Sequence, residues 1–369
     1  MGEIAGLEVG LPGGPDGVTA PWLTSVLRTS GAIDAATSVT AAHVAEFQAG
    51  GLLSTLATAM LELDGPGPAS VVCKFPAVVE TQRAMADGFG VYVKEVAFYR
   101  EIAPRSNIKM PLVHAAMIAE DGSDYCIVME DLRHLRQPDR AAGMTFDEAI
   151  VAVDALAAYH AGWHGSPELP ALREKFFSYD SPVYRMGLPG LAEAGWPAAK
   201  HHAGGLMSET VIAFGDRWLD ALEPMLDLML ERPTLCHHDW RADNIFFDEN
   251  GDVIVIDPQI VGVTNPAFDL GYFISQSLEG ETRASRGQEL IDRYVATSAE
   301  HGVELDLDEI TFDTRVSIAL CLMYGFVSYP EYEALPPEGQ AMTDSLLRRS
   351  ATTIEEFDAI TAVDELLAR

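Results

Sequence analysis

The chain has 369 residues, 48% of them hydrophobic and 22% charged, which is ordinary globular composition and more chain than one hydrophobic core usually holds, so two domains are expected. Its formal net charge is -32, from 24 basic and 56 acidic side chains, a field that repels phosphate backbones and argues against nucleic-acid binding. No apolar run approaches the ~20 residues of a membrane span. Residues 1–18 lack the basic start and apolar stretch of a secretory signal, and Cys73, Cys126, Cys236 and Cys321 form no CxxC pair, so a soluble, cytoplasmic protein with reduced thiols is expected.

Gly10 to Gly17, with Pro12 and Pro15, reads as a flexible leader covering residues 1–18. A short helix follows from Trp22 to Leu27, with Thr19 as its cap. From Val39 to Met129 the sequence is rich in strands. One ends near Phe47, a second runs from Ser54 to Leu63, and a compact apolar strand covers Ala69 to Phe75 after a Gly/Pro turn. Leu112 to Ile118 and Tyr125 to Met129 flank an Asp121-Gly122 turn. Between them a helix spans Val91 to Ile102 and stops before Pro104. Beyond Asp131 the character becomes helical. Phe146 to Trp163 carries Ile150, Val153, Leu156 and His160 at helical spacing. Residues 166–205, rich in Pro, Gly and aromatics, read as an irregular insert or lid. Helices resume near Glu209 to Leu230, Gln288 to Ala299 and Asp313 to Val327, with a last one from Ile354. The expected plan is α+β: a β-rich N-lobe over residues 19–131 and a larger, mainly helical C-lobe over 132–369, with the seam near Glu130 to Arg133.

The chemistry concentrates in His237-His238-Asp239-Trp240-Arg241-Ala242-Asp243-Asn244, followed by Val253-Ile254-Val255-Ile256-Asp257. Asn250-Gly251 suits a two-residue hairpin turn. That register sets Asn244 opposite Asp257, bringing together an amide oxygen and a carboxylate, hard ligands suited to Mg²⁺. Asp239 stands on the loop entering the same hairpin, where a carboxylate can take a proton from an attacking hydroxyl. The order Asp, Asn, Asp at this spacing is that of protein kinases: catalytic base, then two metal ligands. The bland alternative is a polar hairpin with capping carboxylates.

Two upstream residues complete the set. Lys74 sits within the apolar strand Val71-Val72-Cys73-Lys74-Phe75, where an unpaired charge is costly. Glu95 shares the buried stripe of Val91, Phe98 and Ile102 on the following helix. The two are expected to pair and to hold Lys74 against nucleotide phosphates, the alternative being a snorkelling lysine and an exposed glutamate. Gln48-Ala49-Gly50-Gly51 lies where a phosphate-covering loop belongs, although a plain turn has the same chemistry; Gly50 and Gly51 are its candidate contacts. Met129-Glu130-Asp131-Leu132 is the candidate adenine connector, through backbone groups of Glu130 and Leu132. No Walker GxxxxGK[ST] is present. His160 and Trp163 read as core residues, and Asp269 as a brace for the catalytic loop.

The segments His237 to Asn244, Ile256-Asp257-Pro258-Gln259 and Asn265-Pro266-Ala267-Phe268-Asp269-Leu270 resemble the aminoglycoside phosphotransferase and choline-kinase-like superfamily. Glu95-Val96-Ala97-Phe98-Tyr99-Arg100-Glu101, Met129 to Leu132 and Leu156-Ala157-Ala158-Tyr159-His160 are similar to its ecdysteroid-kinase-like branch. The resemblance implies a bilobal protein-kinase-like fold with ATP and Mg²⁺ as cofactors. It implies Asp239 as base, Asn244 and Asp257 as metal ligands, and Lys74 with Glu95 as the phosphate-orienting pair. His238 in place of a small Gly and Pro258 in place of an aromatic depart from the pattern. The expected activity is transfer of the γ-phosphate to a hydroxyl of a small molecule. The rivals are a nucleotide-binding pseudokinase scaffold and a protein Ser/Thr kinase; the short span between Asp257 and Asp269 leaves little room for the peptide-docking segment of the latter. Phe176, Phe177, Tyr179, Tyr184 and Trp196 suggest a ring-containing acceptor, and the acidic surface a cationic one.

Overall fold

The computed structural model describes residues 4, 6–47, 53–139 and 142–369. The chain divides into two units, Met1–Arg136 with Ile254–Ile260, and Gln137–Val253 with Val261–Arg369.

The first unit is built on helix α1 (Ala20–Thr29), whose start is fixed by Thr19 accepting from the Trp22 N–H. Five antiparallel strands follow: β1 (Val39–Phe47), β2 (Ser54–Leu63), β3 (Ser70–Pro76), β4 (Val113–Ile118) and β5 (Tyr125–Glu130). They lie in the order β1-β2-β3-β5-β4. Val26 and Leu27 of α1 join Val71, Cys73, Ala115 and Val128 in one core, so the period-2 pattern of the strands is satisfied from one face. Between β3 and β4 run α2 (Glu80–Gly88) and α3 (Val91–Ala97). α3 continues through a π-turn, Phe98–Ile102, into a 3-10 turn that seats Pro104 in its first positions. Residues 6–17 are not the expected leader. Val9 and Leu11 pack against the core, and the Gly10 carbonyl accepts from Trp22 Nε1 at 2.9 Å. Their apolar side chains gain burial that composition did not reveal.

The second unit is mainly helical. α4 (Phe146–Trp163) opens on a capping box between Thr145 and Glu148. After it come α5 (Leu169–Lys175), α6 (Pro182–Ala203), α7 (Glu209–Gly215) and α8 (Trp218–Leu228). The short strands β6 (Thr234–Cys236), β7 (Ile245–Phe247) and β9 (Gly262–Thr264) flank the loop 237–244, and β8 (Val253–Val255) has its last two residues in the first unit. β6 pairs with β9 antiparallel, Leu235 opposite Val263. Helices α9 (Ala267–Ser277), α10 (Gly280–Glu300), α11 (Leu307–Leu320), α12 (Leu322–Phe326), α13 (Pro337–Glu356) and α14 (Ala359–Leu367) complete it. All eleven residues of α9 are buried, which makes it the centre of this unit's packing.

Residues 166–205 correct the expectation of an irregular insert. They form α5 and the whole of α6, a 22-residue helix that tolerates Pro189 and Pro197. Tyr184, Leu188, Ala192 and Trp196 bury one side of it. Phe176, Phe177, Tyr179, Tyr184 and Trp196 are all buried as well, so they pack the unit's interior and lend no support to a ring-containing acceptor. The stretch Leu307–Ala334 has the length and hydropathy of a membrane span, contrary to the reading above, yet 67% of its apolar window is buried; its apolarity is that of a core element.

Candidate active site

Lys74 lies on β3 and is 4% exposed. Its ammonium donates to Glu95 Oε1 at 2.7 Å and to Asp257 Oδ1 at 2.5 Å. The strand places Lys74 opposite Leu56 on one side and Ile127 on the other, and α3 supplies Glu95 from its buried face. Asp257 reaches the group because Val255 donates its N–H to the Lys109 carbonyl at 3.0 Å, tying the segment 254–260 to this unit. Asp257 takes a left-handed backbone, φ 64, and its Oδ2 accepts from Gln259 Nε2 at 3.2 Å.

Two carboxylates thus share one buried ammonium. Burial opposes the charge on Lys74, but Asp257 and then Glu95 outweigh it and raise its pKa. Burial pushes Glu95 up to about 7 against the pull of Lys74. Glu95 Oε2 is buried with no hydrogen-bond partner among the described residues. The side chain of Asp257 is 19% exposed against 5% for Lys74, which leaves it open to a compensating cation. A divalent metal on Asp257 fits that donor set.

In the second unit the loop 237–244 is held from behind. Asp269, at the start of α9, accepts the N–H of His237 at 2.6 Å and of His238 at 2.7 Å. His160 Nε2 lies 3.1 Å from the same carboxylate, and its Nδ1 2.8 Å from the Tyr294 hydroxyl. Burial alone would raise the Asp269 pKa; the His160 hydrogen bond and the neighbouring imidazoles outweigh that and lower it. The bracing role expected of Asp269 is therefore visible, and His160 is a core residue with a polar task. Cys236 Sγ also lies in this cluster, whose ligand atoms fall within 4.8 Å of one another. Its thiol points at the Thr264 and Asn265 carbonyls, and the other two side chains are engaged as described, so the cluster is a hydrogen-bond hub rather than a metal centre.

Asp239 is fixed at both oxygens. Asn244 Nδ2 donates to its Oδ2 at 2.8 Å and to its carbonyl at 2.9 Å, and Arg241 Nε lies 2.8 Å from its Oδ1. A 3-10 turn, Ala242–Asn244, brings the asparagine back onto the aspartate. With Nδ2 committed to Asp239, Oδ1 is the amide atom that suits a metal. Arg241 escaped the sequence reading, although its position two residues after Asp239 on a tight loop was a signal.

The hairpin after Asn244 differs from expectation. Asp248 donates its N–H to the Asp252 carbonyl at 2.9 Å, and its Oδ1 accepts from the N–H of Asn250 and Asp252. The loop is therefore three residues long, with Gly251 alone at positive φ. This is a type I turn closed by a left-handed glycine. The opposition of Asn244 and Asp257 derived from a two-residue turn does not follow from it. The Asx contact of Asp248, a local competitor for the backbone, is the reason.

At the connector, Glu130 donates its N–H to the Leu112 carbonyl at 2.9 Å, and the Leu132 carbonyl accepts from Leu135 at 2.8 Å. The Leu132 N–H meets no backbone carbonyl among the described residues, which suits an adenine acceptor. Gly50 and Gly51 lie outside the described residues.

The chain resembles, in fold, the microcompartment-associated aminopropanol kinase, with 17% identity over 87% of this chain and 94% of that one and a TM-score of 0.55. The GDP complex of aminoglycoside 2'-phosphotransferase-IIIa follows at 14% identity, covering 90% and 98%, TM-score 0.51. A putative aminoglycoside phosphotransferase from Ralstonia eutropha gives 14%, 91% and 97%, TM-score 0.51. These likenesses define the class: an α+β protein-kinase-like fold with a β-rich first unit and a mainly helical second one. A model of the phosphotransferase enzyme family matches residues 61–304, well over half the chain, and the chain belongs to that family. No curated protein matches it.

Proposed function

We propose that the chain is an ATP- and Mg²⁺-dependent kinase that transfers the γ-phosphate to a hydroxyl group of a small molecule. The observation that carries this reading is Asp239, held at both oxygens by Asn244 and Arg241 on a loop whose two preceding N–H groups, of His237 and His238, donate to Asp269. A carboxylate so oriented accepts the hydrogen bond of an attacking hydroxyl and takes its proton as the new ester bond forms. Lys74, kept charged by Glu95 and Asp257, anchors the triphosphate. By their order in the sequence, Asp257 and Asn244 Oδ1 would each offer an oxygen to the metal, whose charge would offset that of the phosphates. The Leu132 N–H and the carbonyl side of Glu130 read the adenine edge. The segments Glu95 to Glu101 and Met129 to Leu132 support the ecdysteroid-kinase-like branch.

The test is ADP release against sugars, aminoglycosides, amino alcohols and sterols, with wild type and Asp239→Ala side by side. The variant should lose roughly 10²–10⁴-fold in turnover, the usual weight of a general base, while keeping its nucleotide affinity. Near-normal turnover would remove Asp239 from the mechanism, and no release with any acceptor by the wild type would favour a scaffold.

A further inference from the structure

We propose that Tyr92 is a positioning residue for Lys74, a second fastening between α3 and β3 beside the Glu95 ion pair; the proposal rests on the reading of Lys74 as the phosphate anchor. Tyr92 stands three residues before Glu95 on α3, a spacing that puts both side chains on one helix face. Its hydroxyl accepts the Ala77 N–H at 3.0 Å and donates to the Leu53 carbonyl at 2.9 Å. Ala77 lies three residues after Lys74, just beyond the last residue of β3. The helix and the strand are therefore joined at two points with the same offset on each: Glu95 to Lys74, and Tyr92 to Ala77. The Tyr92 ring is buried and stacks on Tyr125 of β5, with centroids 4.3 Å apart and planes 18° apart, so the phenol has one position.

The two fastenings differ in kind. Lys74 is shared between Glu95 and Asp257, and its attachment to α3 weakens whenever a new anion claims the ammonium. The Tyr92 bonds run from a neutral hydroxyl to backbone groups and do not depend on the charge of Lys74. They hold α3, and with it the Glu95 carboxylate, in place while Lys74 exchanges partners. Tyr92 also grips the residue that precedes β2, so one hydroxyl ties α3 to the ends of two adjacent strands. Its job is orientation rather than chemistry.

Tyr92→Phe keeps the ring and its stacking and removes both hydrogen bonds. Acylation of Lys74 by acetic anhydride, read by peptide mass spectrometry without nucleotide, should rise at least about tenfold, as expected for loss of two buried hydrogen bonds. MgATP affinity should fall by a similar factor while adenosine affinity stays unchanged, because Lys74 acts on phosphates alone. Unchanged labelling of Lys74, or ATP and adenosine weakened alike, overturns the proposal and leaves Tyr92 a packing residue. A wild type that binds no ATP sinks the kinase reading, and the labelling result still decides the role of Tyr92. Should the variant fail to fold, hydrogen exchange in the wild type decides: the Ala77 amide must exchange slowly although it lies past the strand's end, and fast exchange rejects the fastening.

Discussion

His238 sits at φ 64, a region that L-residues with a Cβ seldom adopt and glycine enters freely. The departure from a small residue noted in the sequence thus has a structural cost, met by neighbours. The ring stacks on Phe268 at 4.4 Å and its Nε2 lies 2.8 Å from Thr264 Oγ1. Burial lowers its pKa to about 4, so it is neutral in the fold at pH values where the unfolded chain, near 6.5, already takes a proton. The unfolded state then binds more protons, and stability falls as pH drops from about 6.5 towards 4. His114, lowered to about 4 by burial, adds to the same slope. Glu95 acts in the opposite sense: its raised pKa costs stability as pH rises towards 7. His238→Asn, which tolerates positive φ and does not titrate, should flatten the acid slope by up to about 3 kcal/mol in urea unfolding at pH 4.5 and 7. An unaltered slope would show that His238 is not the group responsible.

Among the elements, α4 and α6 show how local rules and packing divide the work. α4 obeys its sequence. Thr145 and Glu148 exchange hydrogen bonds at its first turn, and the apolar stripe of Val153, Leu156 and Trp163 is buried. Thr145→Ala should lower the unfolding free energy by about 1 kcal/mol, the common value of a lost cap. Glu148→Ala should do less, and the double variant should cost less than the two single changes together, since the pair acts as a unit. Strict additivity in denaturant titrations would mean the box contributes nothing as a box. α6, by contrast, overrides its sequence. Two interior prolines argue for a broken segment, yet Trp196 donates to Asp216 Oδ1 at 2.8 Å and packs where any Cβ on Gly215 would approach it to 2.0 Å. Helix burial there outweighs the hydrogen bonds that the prolines omit.

At the scale of the whole molecule the charge of -32 is the dominant long-range quantity. Self-repulsion of that size destabilises the folded state, and salt screens it. The melting temperature should rise as NaCl goes from about 10 to 150 mM, where the Debye length shrinks to ~8 Å. A fall would mean that attractive pairs, such as Arg293 with Asp154, outweigh the repulsion. The same field attracts cations and repels anions over long distances.

The strands, the stripe of α3 and the cap of α1 are legible in the sequence alone, because pleat alternation, helical spacing and cap chemistry depend on neighbours in sequence. The pairing of Lys74 with Glu95 could be read for a related reason, since a buried charge in a small apolar unit has few partners to choose from. Other features depended on which faces meet: the three-residue loop held by Asp248, the burial of Phe177 and Tyr179 around His238, the fold-back of residues 6–17 and the reach of Tyr92 to Ala77. Each joins groups that no short-range period relates, through close packing and hydrogen bonds that exist only once the chain has condensed.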